Sequence, residues 1–266
     1  MSVMGFRKMM ASLGAGGASV ETELHQADVT PGGVIHGEVR IEGGSVDQRI
    51  QGVSVGLQAR VEVETKNAQG EDTEYHQNIE FHTLQVGGEF VIQPRAVHTL
   101  QFALEVPWET PVTMFMGRQL TGMNVGVTTE LQIARAVDKG DLDPVNVHPL
   151  PAQDALLEAF GRLGFRFHSA DLEKGHVHGT RQRLPFYQEI EFKVPEQYRG
   201  LKEVELTFVA DGNEMDVVLE MDKKGAFTGG DTHRSFVMNM QSFEHTDWAD
   251  YLHQWLAEVG AKRNWF

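Results

Sequence analysis

The chain has 266 residues, of which 41% are hydrophobic and 23% are charged, so it can bury the core of one large domain or of two domains of ordinary size. Thirty-eight acidic residues against 23 basic ones give a formal net charge of −15, which repels nucleic-acid phosphates and anionic lipid headgroups and favours a basic protein surface as a partner. The absence of cysteine excludes disulfides, thiolate metal sites and thiol nucleophiles, and no stretch approaches the ~20 consecutive apolar residues of a membrane span.

The first predicted element is a short amphipathic helix over residues 4–13. Its apolar face would carry Phe6, Met9, Met10 and Leu13, and a glycine-rich turn ends the pattern. Such a helix can pack on its own protein, contact a partner or touch a membrane surface, and the first outcome is the commonest. A basic pair precedes the apolar run, as in a signal peptide, but glycines interrupt the run too early for a signal-peptide core. We therefore expect a cytoplasmic protein.

From Val20 onward the apolar residues follow a period of two, which is typical of β-strands. In the clearest strand, apolar residues alternate with polar ones such as Ser54. The apolar residues form one face and are Val53, Val55, Leu57, Ala59, Val61 and Val63. Further alternating segments occupy residues 75–81, 100–106 and 123–133. Strands separated by Gly and Pro, with almost no helices between them, predict an antiparallel β-sandwich.

Acidic residues and prolines interrupt this pattern at residues 138–151. The prolines fix φ and favour extended conformations in the residues before them, so the segment predicts a stiff connection between two domains. A short helix is predicted over residues 152–163, with Gly164 just past its end. The predicted domains are residues 1–150, a β-sandwich with the short N-terminal helix, and residues 151–266, a β-sandwich with a C-terminal helix.

Strands resume after the linker helix, with alternating apolar residues over 186–194, 204–208 and 215–221. The chain ends in an amphipathic helix, whose apolar stripe comprises Trp248, Tyr251, Leu252, Trp255, Leu256 and Val259. Thr246 is its predicted N-cap and Gly260 its predicted end. The predicted fold class is all-β, with two tandem antiparallel β-sandwiches and short helices at the termini and in the linker.

The segment Gly52-Val53-Ser54-Val55-Gly56 matches the G-x-S-x-G pattern that surrounds the catalytic serine of hydrolases. That chemistry needs the serine on a sharp strand-to-helix turn, whereas Ser54 lies inside a predicted strand with no helix after it. The glycine-rich residues 14–17 have no βαβ unit around them and predict no dinucleotide site. We predict no catalytic residue, no cofactor and no enzymatic activity.

Two groups of residues have the chemistry of metal ligands, and neither is complete in the sequence. His176 and His178 would point to the same side of a strand, without an obvious third ligand. Asp138, Asp141 and Asp143 resemble a calcium loop but lack the EF-hand spacing, so we interpret them as part of a solvated linker. We assign no metal site and keep a ligand or metal carrier built on the histidine pair as an alternative.

Several segments carry more information than their periodicity: FRKMMASLG from Phe6, VTPGGVIHGEV from Val29, GGSVDQRIQGV from Gly43, DLDP from Asp141, PLP from Pro149 and LPFYQEIEF from Leu184. Together they resemble the bacterial sporulation-control protein family, and the resemblance covers nearly the whole chain. It implies an arrestin-like fold of two tandem sandwiches. The segment VHTLQFALEVP from Val97 also resembles the arrestin signature strand that ends in proline.

The resemblance implies a regulatory cytoplasmic protein that influences sporulation or the cell cycle through protein contacts, without a cofactor or a catalytic residue. The predicted function is a non-catalytic adaptor or scaffold. Its protein partner would be one with a basic surface, or a cytoskeletal or signalling protein. We expect no nucleic-acid binding and no stable membrane insertion. The alternatives are a self-assembling structural protein, acting as a homo-oligomer, and, less favoured, a ligand- or metal-binding module.

Overall fold

The computed structural model describes residues 10–12, 17–66, 70–133, 142–198, 200–223 and 232–261. Strands dominate this part of the chain: β1 (Met10–Ser12), β2 (Ser19–Leu24), β3 (Asp28–Val29), β4 (Val34–Glu42), β5 (Gln48–Lys66), β6 (Asp72–Gly87), β7 (Phe90–Ile92), β8 (Val97–Glu105), β9 (Met114–Phe115), β10 (Arg118–Gln119), β11 (Val125–Ile133), β12 (Leu142–Pro144), β13 (Asn146–Val147), β14 (Arg166–Lys174), β15 (Phe186–Lys193), β16 (Leu201–Ala210), β17 (Glu214–Lys223) and β18 (Thr232–Asn239). The α-helices are α1 (Pro151–Arg162) and α2 (Trp248–Ala261). The predicted all-β fold class is confirmed.

The chain forms two compact units, each assembled from separate segments. Unit 1 consists of Met1–Arg60, Asn78–Pro107 and Asn124–Val147, and unit 2 of Val61–Gln77, Trp108–Met123 and His148–Phe266. Two segments that precede residue 150 are thus grouped with unit 2. The division into domains 1–150 and 151–266 stays a prediction.

Unit 1 contains two sheets that share a core. One sheet has the strand order β1-β2-β4-β8, and in the other β11 lies between β12 and β5. The hydroxyl groups of Thr22 in β2 and Thr129 in β11 form a buried hydrogen bond of 2.6 Å, so the two sheets pack face to face. Each large core side chain contributes about 1.5–3 kcal/mol through burial. The fully buried ones are Ile35, Ile41, Ile50, Leu57, Ile92, Leu104 and Leu131.

The predicted N-terminal helix is wrong at residues 10–12, which form strand β1. This strand pairs antiparallel with β2, and Met10 lies opposite Glu21. The other residues of the predicted helix lie outside the described part of the chain. A helix of about ten residues is only marginally stable in water, and pairing with β2 satisfies the backbone groups instead.

The predicted interdomain linker is wrong for residues 142–147, which form β12 and β13 in unit 1. β12 pairs antiparallel with β11, and β13 pairs parallel with β3. Asp143, interpreted as part of a solvated linker, is buried at 9% exposure. Asp138 and Asp141 lie outside the described residues. The extended conformations that prolines favour suit strand pairing as well as they suit a linker.

Strand β5 confirms the predicted alternation, because its apolar residues from Val53 to Val63 are buried. Ser54 on the other face is also buried, at 5% exposure, which its place among polar residues did not indicate. The neighbouring strand β6 explains this burial. At Gly56, on the same face as Ser54, a Cβ atom would come within 2.7 Å of the Glu80 carboxylate of β6. Long polar side chains of the neighbouring strand therefore cover this face of β5.

Unit 2 contains an antiparallel run of five strands in the order β14-β15-β16-β17-β18, and both helices pack on one face of it. Phe160 of α1 stacks on Phe192 of β15, with 4.6 Å between the ring centroids. Phe236 of β18 contacts the rings of Trp248 and Trp255 in α2. The residues that alternate with this apolar set point to the opposite face, which we call the outer face of unit 2.

The predicted linker helix is confirmed as α1. Gly164, just past its end, has φ of +86°, the left-handed conformation that glycine adopts without strain. The predicted C-terminal helix is confirmed as α2. Among the residues that the structure describes, neither helix is long and apolar enough to cross a membrane.

The bounds of α2 differ from the prediction by one or two residues. Asp247 is its N-cap, since its Oδ1 accepts hydrogen bonds from the backbone N–H groups of Ala249 (3.1 Å) and Asp250 (3.3 Å). The predicted N-cap, Thr246, is therefore wrong, and a carboxylate is the better group because it also interacts favourably with the helix dipole. The helix continues through Gly260 to its last residue, Ala261.

Candidate functional site

A row of three carboxylates and one imidazole crosses the outer face of unit 2. In the strand register, Glu191 of β15 lies opposite Glu205 of β16, and Glu205 lies opposite Glu220 of β17. Glu220 in turn lies opposite His233 of β18. We call these four residues the carboxylate row. Like charges directly opposite each other on one sheet face repel, so the three carboxylates of the row destabilise one another when they are ionised.

Three further carboxylates lie beside the row. Asp171 of β14 is opposite Glu189 of β15, and Glu173 is two residues along β14. Asp171, Glu173 and Glu189 each offer one carboxylate oxygen, and these atoms lie within 4.8 Å of one another. Glu189 forms a second group of the same size with Glu205 and Glu220. Glu189 therefore belongs to both groups.

Burial and mutual repulsion raise the pKa values of these carboxyls. Burial is the largest cause in each case, followed by the charge of a neighbouring carboxylate. The pKa rises to about 6 for Asp171, to about 7 for Glu173 and to about 8 for Glu189. The Oδ1 atom of Asp171 is buried and accepts no hydrogen bond from the described residues. Desolvation and repulsion thus disfavour the charged forms, so Glu173 and Glu189 are partly or mostly protonated near neutral pH.

A cavity of about 380 Å³ opens on this face, and we call it the histidine pocket. Its polar lining is built from Glu189, Glu205 and Glu220 on the sheet, together with Tyr187, His176, His178 and His233. The Nδ1 atom of His233 lies 3.4 Å from Oε2 of Glu220. Three imidazoles and three carboxylates therefore surround one cavity.

Two of these histidines belong to the loop between β14 and β15, and Gln182 holds that loop in shape. The Gln182 Oε1 atom accepts the backbone N–H of Val177 at 2.8 Å. Its Nε2 group donates to the carbonyl oxygens of Gly175 and Leu184, both at 2.8 Å. Because Gln182 is buried, this small network is shielded from competing water.

Arg181 attaches the same loop to strand β17 and the turn before it. Its Nε donates to Asp216 at 2.9 Å, and its Nη1 donates to Asp211 at 2.9 Å and to Glu214 at 2.8 Å. The three carboxylates raise the pKa of Arg181 further above its usual value. Backbone N–H groups of Glu214 and Asn213, and then Arg181, lower the pKa of Asp211 to about 2. The loop is thereby fixed on both sides.

The predicted pair of His176 and His178 lies in this loop, and not on a strand as expected. The side chains that line the same cavity come from distant strands, namely the glutamates of the pocket and His233. The signal for the glutamates was their recurrence at every second position in the segments around Glu189 and Glu205. That pattern is also typical of any solvated sheet face, so it could not indicate a site by itself.

Ser54 does not occupy a hydrolase-type turn. It lies within β5, opposite Glu130 of β11, and β5 continues as a strand to Lys66. The strand-to-helix turn that exposes a hydrolase nucleophile is therefore not formed at this motif.

The strand order and the packing of sheets and helices define an all-β protein of the β-sandwich class. Within that class the chain belongs to the SpoOM protein (Spo0M) family, whose family model matches residues 6–225. The family resemblance found in the sequence is confirmed.

Individual relatives agree with this assignment. The sporulation-control protein spo0M of Bacillus subtilis (strain 168) is 34% identical over 221 residues, which cover 82% of this chain and 81% of that protein. The crystal structure of Spo0M from Bacillus subtilis superimposes with a TM-score of 0.76 at 28% identity, covering 91% of this chain and 99% of that one. The crystal structure of squid arrestin gives 11% identity and a TM-score of 0.27 over 87% of this chain and 76% of that one, a similarity too low to support an argument.

Proposed function

We propose that this protein is a non-catalytic regulatory adaptor that acts in the control of sporulation, in the cytoplasm, through contacts with other proteins. The observation that carries the proposal is the 34% identity, over 82% of the chain, to a protein named for sporulation control. The fold is consistent with this role, because β-sandwiches offer broad surfaces and sheet edges for partners.

The charge of the protein favours a basic partner. The chain carries a net charge of −15, and the carboxylate row concentrates negative charge on one face of unit 2. Such a field accelerates the association of a positively charged partner and weakens as salt increases. It equally disfavours nucleic acid, whose phosphates are repelled.

Strand β8 supports binding by strand addition. It is the last described strand in the order β1-β2-β4-β8. At its ends, Gly43 N–H donates to the carbonyl of Ala96 and Val106 N–H donates to the carbonyl of Gly33. Because antiparallel hydrogen bonding alternates along a strand, the even-numbered residues of β8 bond to β4. Odd-numbered residues such as Ala103 direct their backbone groups away from β4, where an extended peptide could pair with them.

The test is complementation in Bacillus subtilis that lacks its spo0M gene. We expect expression of this chain to change the frequency of heat-resistant spores toward that of the parent strain. Ala103→Pro removes a backbone donor that faces away from β4, so it should block strand addition while the four-stranded sheet is retained. The matched control is Ala103→Ser, which keeps the donor. If the wild-type chain is folded but has no effect on sporulation, the proposed function is contradicted. If Ala103→Pro is as active as the wild-type chain, binding of the partner through β8 is contradicted.

Self-assembly through the same edge is a second candidate function, because a second copy of β8 could pair there as readily as a peptide. Light scattering on the purified protein distinguishes the two. A homo-oligomer that Ala103→Pro converts to a monomer supports self-assembly, and a monomeric wild-type chain rejects it.

A further inference from the structure

A second cavity of unit 2 has a volume of about 670 Å³, and we call it the apolar cavity. Residues of the hairpin β9–β10, of helix α1 and of strands β14 and β15 surround it. Most of its lining is aromatic or aliphatic: Phe115, Met116, Leu120, Leu157, Phe165, Phe167 and Phe192. Ligand sites are typically concavities of about 300–1,000 Å³ that are lined by such side chains and a few polar groups. The size and the lining therefore fit a small apolar or amphipathic molecule.

A tight hairpin forms one wall of the apolar cavity. Phe115 of β9 lies opposite Arg118 of β10, and only Met116 and Gly117 separate them along the chain. Both turn residues have positive φ, +49° and +71°, as a type I′ turn requires. Side chains that lie directly opposite each other project from the same face of a hairpin. The hairpin thus places the Phe115 ring and the Arg118 guanidinium side by side in the lining.

The charge of the lining differs from that of the protein as a whole. The chain has a net charge of −15, but among the described residues the lining contains Arg118 and no carboxylate. Arg118 is exposed and forms no ion pair within the part of the chain that the structure describes. A guanidinium presents a planar pair of donors that matches the two oxygens of a carboxylate. The cavity therefore favours a ligand whose polar end is an anion.

The opposite wall leaves room for an apolar chain. Leu157 and Gly161 are four residues apart and lie on the same face of α1, while Phe167 of β14 lies opposite Phe192 of β15. Among the described residues outside its own helix, a Cβ atom at Gly161 would meet nothing within 4 Å. The helix surface is therefore lowered at Gly161, next to the aromatic rings of the sheet.

We propose that the apolar cavity binds a single-chain amphiphile with a carboxylate head group, of the fatty-acid class. The carboxylate pairs with Arg118, and the alkyl chain lies beside Gly161 against Phe167 and Phe192. Met116 at the hairpin tip is 71% exposed, so contact with the alkyl chain removes a further apolar side chain from water.

The test is calorimetric titration of the full chain at neutral pH with hexanoate, octanoate and decanoate, and with octanol as the uncharged analogue. We expect one bound molecule per chain and about tenfold tighter binding for every two CH₂ groups added, because each buried CH₂ group leaves water. Octanoate should bind about three- to fivefold more tightly than octanol, a modest factor because Arg118 is exposed. Arg118→Gln should remove this preference and leave the affinity for octanol unchanged.

Gly161→Leu should abolish binding of all four compounds, because its side chain fills the cavity. Leucine favours a helix more than glycine does, and the site has space for it, so the melting temperature should not fall. Arg166→Gln is the matched control for Arg118→Gln, since Arg166 is exposed and lies next to Phe167 but outside the lining. It should bind octanoate as the wild type does.

Three outcomes overturn the proposal. The first is the absence of saturable octanoate and decanoate binding to the wild-type chain, or an affinity that does not depend on chain length. The second is wild-type affinity in a folded Gly161→Leu variant, which would place the bound molecule elsewhere. The third is an equal octanoate affinity of Arg118→Gln and Arg166→Gln, which would show that Arg118 does not bind the carboxylate.

Discussion

Arg181 binds Asp216 through two parallel hydrogen bonds, with Nε 2.9 Å from Oδ2 and Nη2 3.2 Å from Oδ1. The backbone N–H of Arg181 donates to the same carboxylate at 2.8 Å. Asp216 is only 6% exposed, so its negative charge depends on these donors. Paired carboxylate and guanidinium groups of this geometry are among the stronger polar interactions in proteins.

Arg181→Ala should therefore destabilise unit 2. It leaves the buried Asp216 carboxylate without its guanidinium partner, and because Arg181 is itself partly exposed we expect a loss of about 2–3 kcal/mol in the free energy of unfolding. Thermal unfolding monitored by circular dichroism measures the loss. Arg183→Ala is the control, since Arg183 is exposed and two residues away. Equal melting temperatures of the two variants would contradict this role of Arg181.

The stability of the protein should fall in strong acid through Asp211. Its pKa is lowered to about 2 in the folded chain, first by the backbone N–H groups of Glu214 and Asn213. A group whose folded pKa lies below its unfolded pKa stabilises the fold at higher pH, and this stabilisation is lost as the pH falls from about 4 to about 2. Asp211→Asn should lower the melting temperature at pH 7, with a difference that shrinks toward pH 2.

The control for Asp211→Asn is Glu130→Gln, which removes one negative charge from an exposed site on β11. It should change the melting temperature at pH 7 by less than Asp211→Asn does. A difference between Asp211→Asn and the wild type that stays constant from pH 7 to pH 2 would show that the carboxylate charge is not responsible.

The C-terminal helix should contribute strongly to stability. Leu256 is fully buried, and Trp255 contacts Phe236 edge-to-face with 5.1 Å between ring centroids. We expect Leu256→Ala to cost about 2–5 kcal/mol through lost burial and the cavity left behind, and Trp255→Ala to lower the melting temperature by several degrees. Gln254→Ala, at an exposed position of the same helix, serves as the control. An unchanged melting temperature in Leu256→Ala would mean that α2 does not stabilise the sheet.

Close backbone approach in unit 1 should make Gly43 intolerant of a side chain. A Cβ atom at this position would lie 2.0 Å from the carbonyl oxygen of Gln93. Since a backbone atom cannot move away cheaply, we expect Gly43→Ala to destabilise the protein by about 1–3 kcal/mol or more. At Gly88 a Cβ atom would meet nothing within 4 Å, so Gly88→Ala is the matched control. Denaturant titration of both variants checks the prediction, and similar midpoints would contradict it.

Local patterns in the sequence predicted the elements that are stabilised mainly by local interactions or that have a strongly amphipathic pattern. The glycine stop at Gly164 and the aromatic stripe through Trp255 were sufficient to predict α1 and α2. Strand β1 was missed because its structure depends on pairing with β2, which overrides a weak helical period. Ser54 was predicted on a polar face but is covered by β6, and the burial of a residue by a neighbouring strand is not visible in its own strand's pattern.

The candidate site was harder to predict than the fold because its members are far apart in the chain. His176 and His178 were identified as a pair, but His233 lies more than fifty residues later and reaches the pocket only through the pairing of β17 with β18. The glutamates follow the ordinary alternation of a half-exposed sheet. Only the pairing of β16 with β17 shows that Glu205 and Glu220 lie opposite each other.

The hydrogen bonding of Gln182 limits which residues can replace it. Its amide oxygen accepts from Val177, while its amide nitrogen donates to the carbonyl groups of Gly175, Leu184 and Phe186. Glutamate has no donor at neutral pH for those three oxygens, and lysine has no acceptor for the N–H. Asparagine carries the same amide on a side chain that is one methylene shorter. Random mutagenesis of this position should therefore return glutamine almost exclusively among variants that keep the loop intact.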